Sequence, residues 1–169
     1  MIDDLLEMQR LKDLPRAGWV RVGVPDPEDV AAHSWGVGLL VMLLLPDGLD
    51  RARALGFALL HDLAEVRTGD WTPEDAIPSA TKAAAEAAAM AALCARRPAL
   101  HAEWAAYERQ DSPEARFVRQ CDRVDMALRA AAYHRDGRGG MAQFVASAAA
   151  FVTHPALVPI LAECQRVTG

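Results

Sequence analysis

Two features of the sequence pattern predict an all-α fold. Apolar residues recur at helical spacing in nearly every segment, whereas strand-like alternation is confined to residues 20–24. The chain has 169 residues, of which 52% are hydrophobic and 24% are charged, a composition typical of a globular protein. We therefore predict a single helical domain that spans residues 1–169.

The helix boundaries follow from prolines, glycines and capping residues. In the first half of the chain, helices are predicted over residues 2–14, 29–45 and 50–66. In the second half they are predicted over residues 79–97, 99–108 and 112–135. The last of these begins at Ser112-Pro113-Glu114, an N-cap followed by a proline and an acid in the first turn. With one or two further helices in residues 140–167, the prediction is a bundle of about six to eight helices.

Charge and cysteine content limit the classes of partner. The net charge of −5 argues against a broad surface for nucleic acid polymers, and a small anionic substrate would need a local cationic site. The longest apolar stretch, residues 39–45, is too short to cross a bilayer. The three cysteines are widely spaced, and no secretory signal is visible at the N-terminus. We therefore expect a soluble, cytoplasmic protein that binds neither nucleic acid polymers nor membranes.

One short segment concentrates ionisable residues among apolar neighbours. His61, Asp62 and Glu65 lie within five positions, and their spacing allows all three to converge on one sector of a helix. Imidazole nitrogen and carboxylate oxygen together suit Mn, Co, Fe, Ni or Zn better than Mg. An isolated His-Asp pair is usually accidental, however. Taken singly, His33 fits a core position and Asp122 fits a helix surface.

Taken together, these residues resemble a known pattern. The order His33, then His61-Asp62, then Asp122, on three long predicted helices, resembles the HD superfamily of metal-dependent phosphohydrolases. Within it the chain is similar to the HD-domain 5′-deoxynucleotidases. The matching segments cover most of residues 10–135 and leave the C-terminal helices unassigned; they are residues 11–19, 30–35, 61–70 and 113–126.

The resemblance implies an enzyme that releases phosphate from (2′-deoxy)nucleoside 5′-monophosphates with a divalent metal ion. It implies that the metal ligands are His33, His61, Asp62 and Asp122. It implies that Glu65 and Asp70 assist catalysis, and that Arg16, Trp19 and Lys82 lie near the substrate. A homodimer is also implied, with the apolar C-terminal helices as its expected interface. One departure from the family pattern is Ala32, where an acid usually precedes the first ligand, so a contact that supports a histidine ligand is expected to be missing.

Several alternatives remain open from the sequence. Glu65 is either the general acid or an ion-pair partner of Arg67 or Lys82, and Trp19 either contacts the sugar or packs in the core against the helix of Trp35. Asp70 either orients the Glu65 network or caps the loop that follows the third predicted helix. Only His101 lies between the His-Asp pair and Asp122, and we interpret it as a surface residue, which favours one metal over two.

The alternative functions are an HD hydrolase that acts on cyclic or pyrophosphorylated nucleotides, a two-iron oxidase, and a nucleotide-binding or dimerisation module without turnover.

Overall fold

The computed structural model describes residues 2–169 and contains helices but no strands within them, which confirms the predicted all-α class. Within these residues there are two short 3₁₀ helices, Arg10–Asp13 and Pro73–Asp75, and ten α-helical segments. The first five segments are α1 (Ile2–Gln9), α2 (Ala17–Arg21), α3 (Val30–Leu44), α4 (Arg51–Leu60) and α5 (Glu65–Thr68). The others are α6 (Ser79–Leu93), α7 (Pro98–Arg109), α8 (Pro113–Arg135), α9 (Ala142–Phe151) and α10 (Val158–Thr168).

Side-chain caps fix the starts of the three helices that form the centre of the fold. The Asp29 carboxylate accepts from the backbone N–H of Ala32 at the start of α3, and Asp50 accepts from Arg53 N–H at the start of α4. Ser112 caps α8 in the same way. These interactions satisfy backbone donors that have no partner within the helix, so the predicted helix starts agree with the structure.

The helix predicted over residues 50–66 is interrupted, and this prediction was wrong. The α4 helix ends at Leu60, residues 61–64 form a tight turn, and α5 follows. Backbone bonds in this turn connect residues three apart, from Leu63 N–H to the Leu60 carbonyl and from Glu65 N–H to the Asp62 carbonyl. Such bonds wind the chain more tightly than an α-helix does, so the turn changes the directions of the side chains that follow α4.

The long helix α8 lies at the centre of the bundle and packs against α3, α4, α9 and α10. The main core that these helices share includes Val37, Phe57, Val118 and Leu157, each with no exposed surface. A smaller apolar cluster around Met90 joins the end of α4 to α6 and α7. Among residues 2–169, no helix combines the length and apolar character needed to cross a membrane.

Candidate active site

The four side chains assigned to metal binding converge from three parts of the chain. His33 lies on α3, Asp122 lies on α8, and His61-Asp62 directly follow α4. The Nε2 atom of His33 is 3.2 Å from an oxygen of Asp122 and 3.6 Å from an oxygen of Asp62. The Nε2 atom of His61 is 3.2 Å from the same Asp62 oxygen. Ligand atoms of His33, His61 and Asp62 all lie within 4.8 Å of one another, so one ion can contact them together.

Both histidines are oriented through their second ring nitrogen. His61 Nδ1 lies 2.9 Å from the Ala58 carbonyl oxygen, which can accept a hydrogen bond from the ring N–H. His33 Nδ1 lies 2.8 Å from Oδ2 of Asp125, one turn beyond Asp122 on α8. This leaves each Nε2 directed at the cluster. The expectation of a missing support at position 32 was therefore wrong, because Asp125 supports His33 from another helix.

The electrostatics of this cluster favour positive charge. Burial and the nearby Arg16 lower the pKa of His33, but Asp122 and Asp125 outweigh both and raise it to about 9. Burial also lowers the pKa of His61, and Asp62 reverses this effect, so the net shift is upward. Burial raises the pKa values of Asp62 and Asp122, yet the two histidines hold them below the usual range of a carboxyl group. Two nitrogen and two oxygen donors in an environment that favours cations fit a divalent metal ion.

Glu65 begins α5, and its side chain lines a cavity of about 680 Å³ that also exposes Asp62 and Asp122. The residue is 5% exposed, and its Oε2 atom has no hydrogen-bond partner within residues 2–169. Neither alternative ion pair forms, since Arg67 binds Glu7 and Lys82 lies 3.6 Å from Glu86. Burial, followed by the charges of Asp62 and Asp70, raises the pKa of Glu65 well above its usual value. A protonated carboxyl group at this position can donate a proton into the cavity.

Asp70 holds the segment that carries Arg16. One Asp70 oxygen accepts from the backbone N–H of Ala17 at 2.7 Å and lies 3.7 Å from Nε of Arg16. The guanidinium of Arg16 also reaches Asp62, with 3.3 Å between Nη1 and Oδ2. Arg16 is therefore fixed at the cavity wall beside the proposed metal ligands, where its fork of N–H donors can bind a phosphate. These contacts connect Asp70 to Arg16, which the sequence did not indicate, and its predicted part in the Glu65 network stays a prediction.

Trp19 is among the residues that line the cavity, although its side chain is only 1% exposed. Its indole packs against the rings of Tyr133 and Phe144, and its Nε1–H donates to Glu28 at 2.9 Å. So small an exposed area favours the alternative of core packing over a broad contact between the indole and a sugar, and the substrate contact of Trp19 stays a prediction. The packing partners differ from the expected one, however, because Trp35 is 69% exposed on α3.

The C-terminal helices, which the sequence left unassigned, supply one wall of this cavity. Gln143, Phe144 and Ser147 of α9 line it, together with Arg123 and Met126 of α8. Arg123 follows Asp122 directly, and its guanidinium lies over the Phe151 ring at 5.7 Å. Lys82 also lines the cavity, with a side chain that is 38% exposed. Sequence reasoning missed the α9 residues because no charged or metal-binding motif marks them.

The remaining histidines lie away from the cluster. His101 is partly exposed on α7 and packs near Trp104, with 6.0 Å between the ring centroids. The ring of His154 packs against Phe117, and His134 lies in the last turn of α8. None of the three belongs to the groups of potential ligand atoms found in residues 2–169.

Known proteins are similar to this chain in sequence and in fold. The sequence model of the HD domain matches residues 8–157. The human 5′-deoxynucleotidase HDDC2 is 36% identical over 165 residues, an alignment that covers 92% of this chain and 80% of the human protein. The crystal structure of PH0347 from Pyrococcus horikoshii superposes with a TM-score of 0.78 at 32% identity and covers 99% of both chains. A conserved hypothetical protein from Pyrococcus furiosus gives a TM-score of 0.83 at 28% identity, over 98% of this chain and 99% of the other.

The family match spans most of the chain and includes all four converging side chains. The identity with the human relative extends well beyond these residues. From this match and the helical fold that positions the site, we conclude that the chain belongs to the HD-domain family.

Proposed function

We propose that this protein is a metal-dependent 5′-nucleotidase that releases phosphate from 2′-deoxynucleoside 5′-monophosphates. The observation that carries the proposal is the convergence of His33, His61, Asp62 and Asp122 beside a cavity that also contains Arg16 and Glu65. The human relative named 5′-deoxynucleotidase HDDC2 supports this substrate class.

The four ligands would hold one divalent ion, with Mn, Co, Fe, Ni or Zn preferred over Mg because two of the donors are imidazoles. When bound, such an ion polarises a phosphate group and lowers the pKa of water. Arg16 lies next to Asp62 and would bind the phosphate oxygens of the substrate. Lys82, farther along the wall, would attract the anionic substrate into the cavity.

Glu65 would act as the general acid. Water attacks phosphorus, the bond between phosphorus and the 5′ oxygen breaks, and the leaving oxygen takes the proton that Glu65 carries. The products are inorganic phosphate and a nucleoside. The attacking water gives up one proton as its oxygen bonds to phosphorus, and this proton returns the Glu65 carboxylate to its acid form.

The sugar would lie against the apolar part of the cavity, which Met126, Phe144 and Trp71 line. A 2′-hydroxyl group placed there loses its hydration without gaining a hydrogen bond, at a cost of about 1–3 kcal/mol. Deoxyribonucleotides would therefore be preferred. We also propose little preference among the bases, in keeping with the resemblance to the 5′-deoxynucleotidases.

We also propose that the protein is a cytoplasmic homodimer whose interface is the α3 face, defined as Trp35, Leu39, Met42 and Leu43. These side chains are between 42% and 69% exposed and lie on one side of α3. The helix has no acidic or basic side chain other than the buried His33, so two copies can meet there without charge repulsion. The α9 and α10 helices pack against α8 and are weaker candidates for the interface. Three free, buried cysteines fit a reducing compartment.

A phosphate-release screen tests the proposed reaction. Ribo- and deoxynucleoside 5′-monophosphates are assayed with a panel of divalent ions, alongside cyclic nucleotides and nucleoside triphosphates. We expect inorganic phosphate from the deoxynucleoside monophosphates with Mn, Co or a similar ion. Hydrolysis only of cyclic or pyrophosphorylated nucleotides would reject the proposal, and so would metal binding without turnover of any of them.

A further inference from the structure

A glycine in the middle of α3 is explained by one carboxylate from another helix. Glycine in a helix interior is unfavourable by about 1 kcal/mol relative to alanine. A β-carbon at Gly36 would lie 2.0 Å from Oδ1 of Asp125 and 2.8 Å from its Cγ, far closer than atoms can approach. At Gly38, on the same helix, a β-carbon would meet nothing within 4 Å. The requirement for glycine at position 36 is therefore specific to Asp125.

The other oxygen of the same carboxylate contacts the ring of His33. Oδ2 of Asp125 lies 2.8 Å from Nδ1, and His33 is one helical turn before Gly36. The carboxylate of Asp125 thus lies flat against one turn of α3, with one oxygen over Gly36 and the other at the imidazole. A larger residue at position 36 would displace it from the ring.

Within residues 2–169, Asp125 is the only acid that forms a hydrogen bond with Nδ1 of His33. Glu28 is close to both residues, since ligand atoms of Glu28, His33 and Asp125 fit within 4.8 Å. Glu28, however, accepts from the indole of Trp19 at 2.9 Å and lies 3.3 Å from Nε of Arg129. One of its oxygens therefore accepts from the indole, and the other faces the Arg129 guanidinium.

We propose that Asp125 is the positioning residue for His33 and that Gly36 is required to admit it. A carboxylate at Nδ1 keeps the proton on that nitrogen, directs the Nε2 lone pair to the metal ligands and makes the ring a stronger donor. His61 has only a neutral carbonyl at the equivalent nitrogen, so His33 becomes the stronger of the two imidazole ligands. The inference rests on the proposed metal centre.

The test measures metal affinity without nucleotide. Parent, Asp125→Asn, Asp125→Ala, Gly36→Ala, Gly38→Ala and the double variant Gly36→Ala/Asp125→Ala are stripped of metal. The dissociation constant for Co²⁺ is then measured by competition with a chromophoric chelator, and Tm is recorded for each stripped protein. Histidine side-chain NMR reports which nitrogen of His33 carries the proton.

We expect Asp125→Asn, which keeps the shape and removes the charge, to weaken Co²⁺ binding about 10- to 100-fold, and Asp125→Ala to weaken it further. Gly36→Ala should weaken binding similarly, whereas Gly38→Ala should match the parent. The double variant should bind no more weakly than Asp125→Ala alone, because the clash and the support are removed together.

Parental Co²⁺ affinity in Asp125→Asn with a natively folded protein would overturn the proposal, as would equal behaviour of Gly36→Ala and Gly38→Ala. In the stripped parent at a pH high enough to make the His33 ring neutral, a proton on Nε2 instead of Nδ1 would overturn it as well. If the parent binds Co²⁺ and the variants rank as expected but no nucleotide is hydrolysed, the proposed function fails and this inference stands.

Discussion

The Nε2 atoms of His33 and His61 lie 3.4 Å apart, although the two residues are 28 positions apart in the chain. Each ring is held at its other nitrogen, His33 by Asp125 and His61 by the Ala58 carbonyl. Two nitrogens directed at one point, with carboxylates beside them, form a site for a shared cation. Metal binding should therefore depend on all the converging residues together.

We predict one tightly held divalent ion per chain and its loss in Asp122→Ala. Removing this carboxylate takes away both a donor atom and a negative charge, so bound metal and activity should fall together. Elemental analysis after reconstitution with Mn or Co measures the metal content of the parent and of Asp122→Ala. Asp111→Ala, in an acid whose side chain is 59% exposed, is the control and should retain metal. Two tightly bound ions in the parent would contradict the prediction.

We predict that Glu65→Gln retains the metal and loses turnover by roughly 10²-fold or more, the usual scale of general acid–base catalysis. The amide has the shape of the acid and no transferable proton. Steady-state kinetics of the two proteins, with each rate divided by the measured metal content, test this prediction. Phosphate release at the parental rate would mean that Glu65 is structural.

We predict that Asp70→Asn raises KM for the nucleotide and that Arg16→Gln raises it more, by about 10- to 100-fold, the worth of hydrogen bonds to a charged group. Asp70 acts by holding Ala17 and Arg16, so its loss should weaken phosphate binding indirectly. Asp47→Asn, at an exposed turn, is the matched control. Unchanged KM in both cavity variants would exclude this wall as the phosphate site.

We predict that the parent hydrolyses dAMP faster than AMP by roughly 10- to 100-fold in kcat/KM. Phe144→Ala should reduce this ratio because it removes part of the apolar wall, whereas Trp19→Phe should leave it unchanged because the indole is buried. Phe151→Ala makes the same change elsewhere on α9 and should retain the parental ratio. Equal rates for dAMP and AMP in the parent would reject the preference.

We predict that Glu114 stabilises the fold above about pH 4.5 and ceases to do so in acid. Its own backbone N–H, with smaller contributions from Asp50 N–H and Ser112, lowers its pKa in the folded state. The ionised form therefore contributes its full stability above the unfolded pKa, and this is lost as the pH falls through the lower folded pKa. The Tm difference between the parent and Glu114→Gln should shrink from about pH 7 to about pH 3. A difference independent of pH would contradict the prediction.

Sequence reasoning succeeded where a signal lies within a few consecutive residues. Caps such as Asp29 and Ser112 act on backbone groups three positions away, so the starts of α3 and α8 could be predicted. The break after Leu60 could not, because apolar spacing continues through it and only the backbone bonds change. The burial of Trp19 depends on Phe144 and Tyr133, which are distant in the chain.

The candidate metal ligands were identified by family resemblance, since His33 and Asp122 carry no local signal of their own. The support of His33 by Asp125 joins residues 92 positions apart, and only the packing of α3 against α8 reveals it. A glycine at position 36 and an acid one turn beyond Asp122 were both visible in the sequence. The contact between them becomes visible only in the packed structure, where α3 and α8 are neighbours.

Both ring nitrogens of His33 face carboxylates of one rigid helix, Asp122 at Nε2 and Asp125 at Nδ1. A slide of α8 along its axis by a single residue, about 1.5 Å, would move both carboxylates out of reach at once. The helix register between α3 and α8 is thus fixed by an imidazole ring as well as by apolar packing. Substitutions in the interface between α3 and α8, even far from the cavity, should therefore change the affinity of the site for a metal ion.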